Sequence, residues 1–362
     1  MSARPIMVLA GGTGGHVYPA LAVARALQAR SQDVVWLGTQ KGLEARVVPA
    51  AGIPIEWVSV SGLRGKGAAT LLLAPFRLLL ALTQSLKAMQ KHRPAAVLGM
   101  GGFVSGPGGV AAWLTRRPLV IHEQNAVAGL TNRLLARLAR VVLQAFPGSF
   151  SSRFNAETVG NPVREDIAAI EEPGRRYAAR KGPVRLLVLG GSQGAQALNE
   201  IVPAALDLLP QELEPEVRHQ TGERTAEAAR AAYAALGIRA ELTPFIEDMA
   251  AAYAWADLVI CRAGALTVAE LAAAGLPAIF IPFPAAVDDH QTANATPLAE
   301  AGAATIVQQR DLDGASLAEL LSEWLSSRDS LAERARRSRE HARPQALSRI
   351  TEICLETAGV TP

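Results

Sequence analysis

The chain has 362 residues, 49% of them hydrophobic, which is enough for two domains with sizeable cores. Its 36 Lys and Arg residues nearly balance its 33 Asp and Glu residues, and the net charge of +3 gives no argument for nucleic-acid binding. Its two cysteines, Cys261 and Cys354, form neither a metal-binding spacing nor a disulfide framework, and their scarcity is typical of a reducing cytoplasm.

Apolar, strand-like runs alternate with helical patterns along the chain. The predicted strands are 6–9, 34–37, 96–98, 119–122, 141–144, 185–189, 216–220, 258–261 and 278–281. The predicted helices include 20–30, 78–91, 132–139, 265–274 and a charged surface helix at 330–343. This alternation predicts an α/β protein whose parallel sheets are covered by helices on both faces.

The pattern starts again in the middle of the chain. PIMVLAGGTGGH (5–16) is echoed by VRLLVLGGSQGA (184–195), and each is a strand followed by glycines and a helix. We therefore predict two Rossmann-like domains, 1–163 and 164–340, with a hinge near GNPVR (160–164). The remaining segment, 341–362, is predicted to be a helix that packs back on the N-terminal domain.

The two glycine loops are candidate anion sites. Glycines let backbone N–H groups approach a phosphate, and the helix N-terminus adds a partial positive charge. A tight strand-to-helix turn without a ligand is the alternative, although two loops at equivalent positions favour ligands between the domains. Neither loop fits G-x-G-x-x-G, no ribose-binding acid follows the strand that ends near Thr39, and no Lys-Ser/Thr follows the glycines. A standard NAD site and a P-loop are thereby excluded.

The stretch CRAGALTVAELAAAG (261–275) predicts a second candidate site. A strand ends at Cys261, Gly264 permits close backbone approach, and a helix is predicted to begin near Thr267. Glu270, expected in the first turn, can accept hydrogen bonds from the two ribose hydroxyls of a nucleotide. Thr267 and Glu270 also fit a capping box, which spacing alone favours.

A polar cluster follows the next predicted strand, in IFIPFPAAVDDHQTANA (279–295). Amides and short acids provide the directed donors and acceptors that sugar hydroxyls need. An ordinary polar loop that caps the next helix is the alternative. The cluster consists of Asp288, Asp289, His290, Gln291 and Asn294.

Long motifs from residue 10 to residue 295 resemble the MurG family of N-acetylglucosaminyltransferases. In order they are AGGTGGHVYPALA, SGLRGKG, GMGGFVSGPGG, HEQNAVAGLTN, GNPVR, GGSQGAQALN, FIEDMAAAYAWAD, CRAGALTVAELAAAGLPA and DHQTANA. Several are long and unusual, so the resemblance is specific. Residues after 295 match the family only in general character.

The resemblance implies the GT-B fold, with two Rossmann-like domains whose parallel sheets face a deep cleft. It implies inverting transfer of GlcNAc from UDP-GlcNAc to the C4 hydroxyl of MurNAc in undecaprenyl-pyrophosphoryl-MurNAc-pentapeptide (lipid I). The product would be the β-1,4-linked, lipid-linked disaccharide of peptidoglycan synthesis, and no essential metal or cofactor is implied. Roles in cell-wall biogenesis, cell shape and division, and contacts with other proteins of those processes, follow from the same resemblance.

The resemblance also implies substrate-binding residues. Those of the C-terminal domain are Ser192 at the diphosphate, Ile246 at uracil through its backbone, Ala265, Leu266 and Thr267 along the diphosphate and ribose, Glu270 on the ribose hydroxyls, and His290 and Gln291 near the sugar hydroxyls. Some relatives carry Gln at the position of His290. Those that complete the donor side across the cleft are Thr13, Gly14, Gly15, Asn125 and Arg164. On this basis the ribose role of Glu270 replaces the capping box.

Inversion requires a base for the attacking hydroxyl and stabilisation of the charge that develops on the leaving diphosphate. The chain has no D-x-D motif near a strand end, so helix N-termini and backbone N–H groups are expected to stabilise that charge. His16 is the candidate base, because neutral imidazole is available near pH 7. A binding or helix-capping role is the alternative for His16, and Glu123 and His122 of HEQN are its rivals.

A lipid-linked acceptor implies a membrane surface, and 62–92 is the candidate segment. Leucines and a methionine form a predicted core stripe, namely Leu78, Leu79, Leu82, Leu86 and Met89. A second apolar face is predicted at Leu73, Phe76 and Leu80. Cations flank that face at Arg64, Lys66, Lys87 and Lys91, a pattern typical of contact with an anionic bilayer. A helix buried on two sides is the alternative.

No signal peptide is expected, because MSARPIMVLAGG lacks a long apolar segment. No membrane-spanning helix is expected either, because the longest uncharged run, 94–115, is interrupted by glycines and Pro107. These two expectations predict a soluble or peripheral protein. The resemblance, with its lipid-linked acceptor, implies a peripheral location at the cytoplasmic face of the inner membrane.

Two other functions remain open at this stage. One is a different GT-B transferase acting on a lipid or aglycone, and the other is a non-catalytic protein that binds nucleotide sugars. The HEQN and GMGGFVSGPGG motifs favour the MurG-type transferase over the first. The joint presence of His16, Glu270 and Gln291 disfavours the second.

Overall fold

The computed structural model describes residues 4–60, 74–191, 194–286 and 289–360. The chain divides into two compact units. Unit 1 comprises Met1–Val163 together with Arg343–Pro362, and unit 2 comprises Arg164–Ala342. Each unit is built around its own parallel sheet, which confirms the predicted α/β class.

Unit 1 contains a seven-stranded sheet in the order β3-β2-β1-β4-β5-β6-β7. Its strands are β1 (Ile6–Leu9), β2 (Val34–Gly38), β3 (Ile55–Trp57), β4 (Ala96–Gly99), β5 (Leu119–Glu123), β6 (Val141–Gln144) and β7 (Glu157–Thr158). The central strand β1 reads IMVL and is fully buried, as expected of a parallel strand covered on both faces. Leu9 pairs with both Leu37 and Gly99, so the loops after these strands leave the same edge of the sheet.

Helices cover both faces of this sheet. They are α1 (Gly14–Ala29), α2 (Glu44–Ala50), α3 (Ala74–His92), α4 (Ser105–Leu114) and α5 (Leu130–Leu135), and a helix from the C-terminal part of the chain, Ala346–Ala358, completes the set. The first helix begins at Gly14, six residues before its predicted start. It therefore includes Gly14, Gly15 and Pro19, three residues that disfavour a helix. The C-terminal helix packs on α1 and β4 and buries Ile350 and Ile353 in the core of unit 1.

Unit 2 contains a six-stranded sheet in the order β10-β9-β8-β11-β12-β13. Its strands are β8 (Arg185–Leu189), β9 (Glu216–Gln220), β10 (Glu241–Thr243), β11 (Leu258–Cys261), β12 (Ala278–Phe280) and β13 (Ala304–Ile306). Its helices are α6 (Glu165–Ala168), α7 (Pro173–Ala178), α8 (Gln196–Asp207), α9 (Ala226–Ala235), α10 (Met249–Trp255), α11 (Ala265–Ala274), α12 (His290–Glu300), α13 (Gly314–Leu325) and α14 (Arg328–Glu340). The C-terminal helix of unit 1 is therefore α15. Within the described ranges, no helix is both long enough and apolar enough to cross a bilayer.

Candidate functional site

Helix α11 of unit 2 spans the predicted range 265–274, and it therefore begins before Thr267, the start on which the capping box depended. The helix begins at Ala265 with Gly264 as its N-cap, so Thr267 is already the third helical residue. The capping-box interpretation of Thr267 and Glu270 is therefore wrong, and Glu270 lies in the second turn rather than the first.

The carboxylate of Glu270 is half-buried and is held by a neighbouring hydroxyl. Tyr253 of α10, itself only 1% exposed, donates to Glu270 Oε2 over 3.0 Å. Burial raises the pKa of Glu270 to about 7, although the guanidinium of Arg164 and the Tyr253 hydrogen bond act in the opposite direction. The hydrogen bond to Oε2 fixes the carboxylate and leaves Oε1 as the acceptor for a ligand.

Gln291, in the first turn of α12, is fixed beside the loop that leads into α11. Its Oε1 accepts from the N–H of Ala263 at 3.2 Å and from the N–H of Phe283 at 2.9 Å. The fully buried Asn294 donates to the carbonyl of Ala263 at 3.2 Å, which holds the same loop from the other side. These contacts orient the Gln291 amide so that Nε2 is its donor end for a ligand.

The other predicted donor residues of unit 2 occupy loops and helix starts. Ile246 is half-buried after β10, His290 is the first residue of α12, and Arg164 is the N-cap of α6. Ser192 and Asp288 lie outside the described residues. In the glycine loop, Gly194 has φ +79°, and a Cβ there would lie 2.6 Å from the Thr221 carbonyl oxygen, so this position requires glycine.

In unit 1 the AGGTGGH loop is held by an acid that the motifs did not single out. Glu44 is fully buried, and its Oε2 accepts from the N–H of Gly12 at 2.9 Å. Its Oε1 accepts from the N–H of Thr39 at 2.9 Å and from the Thr39 hydroxyl at 2.7 Å. The first part of this glycine loop is therefore a turn organised around a carboxylate, and Thr13, Gly14 and Gly15 form the N-cap and the first two residues of α1.

A further glycine-rich loop of unit 1, GMGG (99–102), packs directly on the AGGTGGH loop. Gly101 has φ +96°, and a Cβ there would lie 2.6 Å from Nδ1 of His16. Gly102 has φ +80° and lies against the carbonyl of Gly11. Both positions require glycine, because a side chain at Gly101 would displace the half-buried imidazole of His16 and one at Gly102 would clash with the backbone of Gly11.

His16 and its two predicted rivals differ in their hydrogen bonds. Nδ1 of His16 contacts Oε1 of Gln124 at 3.0 Å, and Nε2 is the ring nitrogen that this contact does not engage. Glu123 is 2% exposed and accepts four hydrogen bonds, from the N–H and Nδ2 of Asn125, the N–H of Gly129 and Nδ2 of Asn132. His122 is fully buried, and burial lowers its pKa to about 4.

Helix α3 presents a broader apolar surface than predicted. Leu78 and Leu79 are 44% and 59% exposed, so their assignment to the core stripe is wrong, and the second face is also exposed, with Phe76 at 71% and Leu80 at 50%. The core face carries the small residues Ala74, Ala81, Ser85 and Ala88, with Met89. The helix packs on the glycine-rich α4, where small side chains allow close approach. Leu73, Arg64 and Lys66 lie outside the described residues.

The part of the chain that the structure describes contains no group of three or more His, Cys, Asp or Glu side chains placed to bind a metal ion.

Comparison with known proteins identifies the family. Residues 6–144 match the glycosyltransferase family 28 N-terminal domain, and residues 185–350 match its C-terminal domain. The chain is 56% and 59% identical to the UDP-N-acetylglucosamine–N-acetylmuramyl-(pentapeptide) pyrophosphoryl-undecaprenol N-acetylglucosamine transferases of Nitrosococcus oceani and Alkalilimnicola ehrlichii, over 98% of its own length and 99% of each relative. It is 43% identical to the MurG of Acinetobacter baumannii, whose crystal structure superposes with a TM-score of 0.86 over 98% of this chain and 99% of that one. The chain therefore belongs to the MurG family within glycosyltransferase family 28 and has the GT-B fold.

Proposed function

We propose that this enzyme transfers GlcNAc from UDP-GlcNAc, with inversion, to the C4 hydroxyl of MurNAc in undecaprenyl-pyrophosphoryl-MurNAc-pentapeptide. The product is the β-1,4-linked, lipid-linked disaccharide used in peptidoglycan synthesis. The observation that carries the proposal is the grouping, within unit 2, of the α11 N-terminus with Glu270 and Gln291. The full-length relatives support it, because their names state this donor and this acceptor.

Unit 2 provides the donor-binding domain in this proposal. The N-terminus of α11, at Ala265, Leu266 and Thr267, directs its N–H groups and dipole at the diphosphate. Ser192, which lies outside the described residues, is assigned to the same diphosphate. Uracil lies at the backbone of Ile246. Glu270 Oε1 accepts from the ribose hydroxyls, and Gln291 Nε2 and His290 contact the GlcNAc hydroxyls.

Unit 1 provides the acceptor-binding and membrane-facing domain, and His16 provides the base. The acceptor oxygen attacks the anomeric carbon as the bond from that carbon to the diphosphate oxygen breaks and its electron pair leaves with UDP. Nε2 of His16 takes the proton of the attacking hydroxyl. Thr13, Gly14, Gly15, Asn125 and Arg164 complete the contacts to the donor. Glu123 is the weaker candidate, because four donors already occupy its carboxylate oxygens.

The decisive assay uses radiolabelled UDP-GlcNAc and a short-chain lipid I analogue. The expected result is a labelled, lipid-linked disaccharide. Binding of UDP-GlcNAc without any transfer to the analogue would reject the proposed reaction. Transfer to other lipid-linked sugars but not to lipid I would favour a different GT-B transferase.

Donor affinity is expected to depend on pH through Glu270. The pKa of this carboxyl is raised to about 7, so it is mostly ionised at pH 8 and mostly protonated at pH 6. Ribose hydroxyls donate to the ionised form, and we therefore expect the Kd of UDP-GlcNAc to rise about tenfold from pH 8 to pH 6. The diphosphate diester keeps its charge over this range, so calorimetric titration reports the protein group.

Two variants test the origin of that pH dependence. Glu270→Gln should bind with a nearly flat pH profile, whereas Glu300→Gln, at the opposite end of α12 from His290, should keep the wild-type slope. An unchanged slope in Glu270→Gln would mean that another group titrates.

The exposed face of α3 is proposed to rest on an anionic membrane surface. Phe76, Leu79 and Leu80 are each at least half exposed, and Arg77 and Lys87 of the same helix are exposed cations. The proposed location is peripheral, at the cytoplasmic face of the inner membrane. That position brings the enzyme to its lipid-linked acceptor and to other proteins of cell-wall synthesis, cell shape and division.

Replacing Phe76, Leu79 and Leu80 together with serine is expected to reduce binding to anionic vesicles at least about tenfold, because each side chain loses apolar area that the bilayer would bury. UDP-GlcNAc binding by unit 2 should not change. Leu208→Ser with Leu236→Ser is the matched control, since these leucines are also exposed but lie on unit 2. Vesicle sedimentation gives the comparison, and equal binding by the triple variant and wild type would disprove the membrane role of α3.

A further inference from the structure

Four groups of unit 1 form one continuous chain of hydrogen bonds that ends at the candidate base. Nδ1 of His16 contacts Oε1 of Gln124 at 3.0 Å, Nε2 of Gln124 contacts Nδ1 of His122 at 3.1 Å, and Nε2 of His122 contacts the carbonyl oxygen of Gly160 at 2.9 Å. His16 lies against Gly101 of the GMGG loop. The other three groups lie behind it, in the interior.

The direction of every hydrogen bond in this chain follows from its inner end. A carbonyl oxygen only accepts, so Nε2 of His122 carries the hydrogen and Nδ1 of His122 is an acceptor. Nε2 of Gln124 donates to that nitrogen and also lies 3.2 Å from the carbonyl oxygen of His122, a second group that only accepts. Gln124 must therefore turn Oε1 towards His16, and Nδ1 of His16 must carry the hydrogen.

The surroundings keep this direction fixed. His122 and Gln124 are 0% and 1% exposed, and Asn161 donates to the backbone carbonyl of Gln124 at 3.0 Å. Burial keeps His122 neutral, because its pKa is lowered to about 4. Protonation of His122 therefore does not reverse the chain near neutral pH.

We infer that Gln124 and His122 are positioning residues that hold neutral His16 in the Nδ1–H tautomer and so present the lone pair of Nε2 to the acceptor hydroxyl. This inference rests on the proposed role of His16 as the base. When the hydroxyl oxygen bonds to the anomeric carbon and UDP leaves, its proton moves to Nε2. The Nδ1–H to Oε1 hydrogen bond remains unchanged in the imidazolium, so no group in the chain needs to rotate.

The choice of an amide at position 124 has a chemical consequence. A carboxylate there would accept from Nδ1–H equally well, but it would favour the imidazolium form and raise the pKa of His16. It would also have no hydrogen to donate to His122. Gln124 therefore fixes the tautomer of His16 without adding a charge. For this reason Gln124→Leu and Gln124→Glu are expected to have different effects on the rate and on its pH dependence.

The tautomer itself is the first test. Two-bond ¹H–¹⁵N spectra of full-length protein labelled with ¹⁵N-histidine should show the Nδ1–H form for His16 and the Nε2–H form for His122, with His16→Ala and His122→Asn assigning the signals. An Nε2–H form of His16 in the wild-type protein would overturn the inference, whatever the variants do.

Kinetics of two Gln124 variants give the second test. Gln124→Leu is expected to lower kcat about 10- to 100-fold, with KM for UDP-GlcNAc unchanged. The variant keeps the base but no longer holds His16 in the Nδ1–H tautomer. Gln124→Glu should recover part of the rate and shift the pH profile of kcat to higher pH. Wild-type kcat in Gln124→Leu would refute the positioning role, whereas wild-type kcat in His16→Ala would instead refute the base assignment, so the two failures are distinguishable. Equal loss in the Leu and Glu variants, with no shift of the profile, would also count against positioning.

Discussion

His16→Ala is expected to lower kcat for GlcNAc transfer about 10²- to 10⁴-fold, the range usual for loss of a general base. The Kd of UDP-GlcNAc should stay within a few fold, because most of the proposed donor contacts belong to unit 2 and none of those proposed for unit 1 is made by His16. Steady-state transfer to a lipid I analogue, with donor binding measured separately by calorimetry, gives both quantities.

The matched control for His16→Ala is His341→Ala. His341 is exposed on unit 2, and its Nδ1 contacts the carbonyl of Arg337, far in sequence from the glycine loops. His341→Ala should leave kcat unchanged.

Glu123→Gln tests the rival base. We expect it to lower the thermal stability of unit 1, since the amide of this variant cannot accept four hydrogen bonds. A kcat within about threefold of wild type for His16→Ala, together with a large loss in a folded Glu123→Gln protein, would transfer the base role to Glu123.

Glu270→Ala should weaken UDP-GlcNAc binding about 10- to 100-fold at pH 8, where the carboxylate is ionised. Hydrogen bonds from ribose hydroxyls to a charged acceptor contribute roughly 1.5–3 kcal/mol, and each 1.4 kcal/mol is a factor of ten in Kd. Glu300→Ala, at the opposite end of α12 from His290, is the control and should bind as wild type does. Unchanged affinity in Glu270→Ala would remove Glu270 from the donor site and leave it a structural partner of Tyr253.

Binding of a 2′-deoxy donor analogue to wild-type protein and to Glu270→Ala sharpens this test. If Glu270 binds the ribose, removal of the 2′-hydroxyl should cost wild-type protein affinity but should cost Glu270→Ala little. Such non-additivity is expected only of groups that contact each other.

The strands that the sequence predicted and those that it missed differ in their position in the sheets. All nine predicted strands form, and they are the interior strands of both sheets, where most are apolar runs buried on both faces and β9 (EVRHQ) is the polar exception. The missed strands, β3, β7, β10 and β13, are the four edges. Glu157–Thr158 has only two residues, and the others have three, so they show neither a measurable period nor an apolar run.

The helix errors have a similar physical cause. Gly14, Gly15 and Pro19 disfavour a helix by propensity, yet α1 includes them because its later turns pack into the core. In α3 the leucines mark the exposed side, and alanines mark the buried one, since the packing partner α4 is itself rich in small residues. Hydrophobicity alone could not have revealed which face lies inward.

Three of the groups that organise the candidate site were not predicted as site residues, although Gln124 and Tyr253 lie within the HEQN and FIEDMAAAYAWAD motifs. Gln124 meets His16 across 108 residues of chain, Glu44 meets Gly12 across 32, and Tyr253 meets Glu270 across 17. Motifs identified the residues that would contact the substrates. The groups that hold those residues became visible only through long-range contacts.

The way in which unit 1 is assembled from two stretches of chain bears on how the protein is made. Unit 2, residues 164–342, is continuous, so its whole core is available once that stretch has been synthesised. The core of unit 1 also needs Ile350, Ile353 and Leu355 of α15, which follow unit 2 in the chain. During translation the unit that is encoded first is therefore the last that can close, and until α15 arrives the apolar surfaces of α1 and β4 that it covers remain open to chaperones or to aggregation.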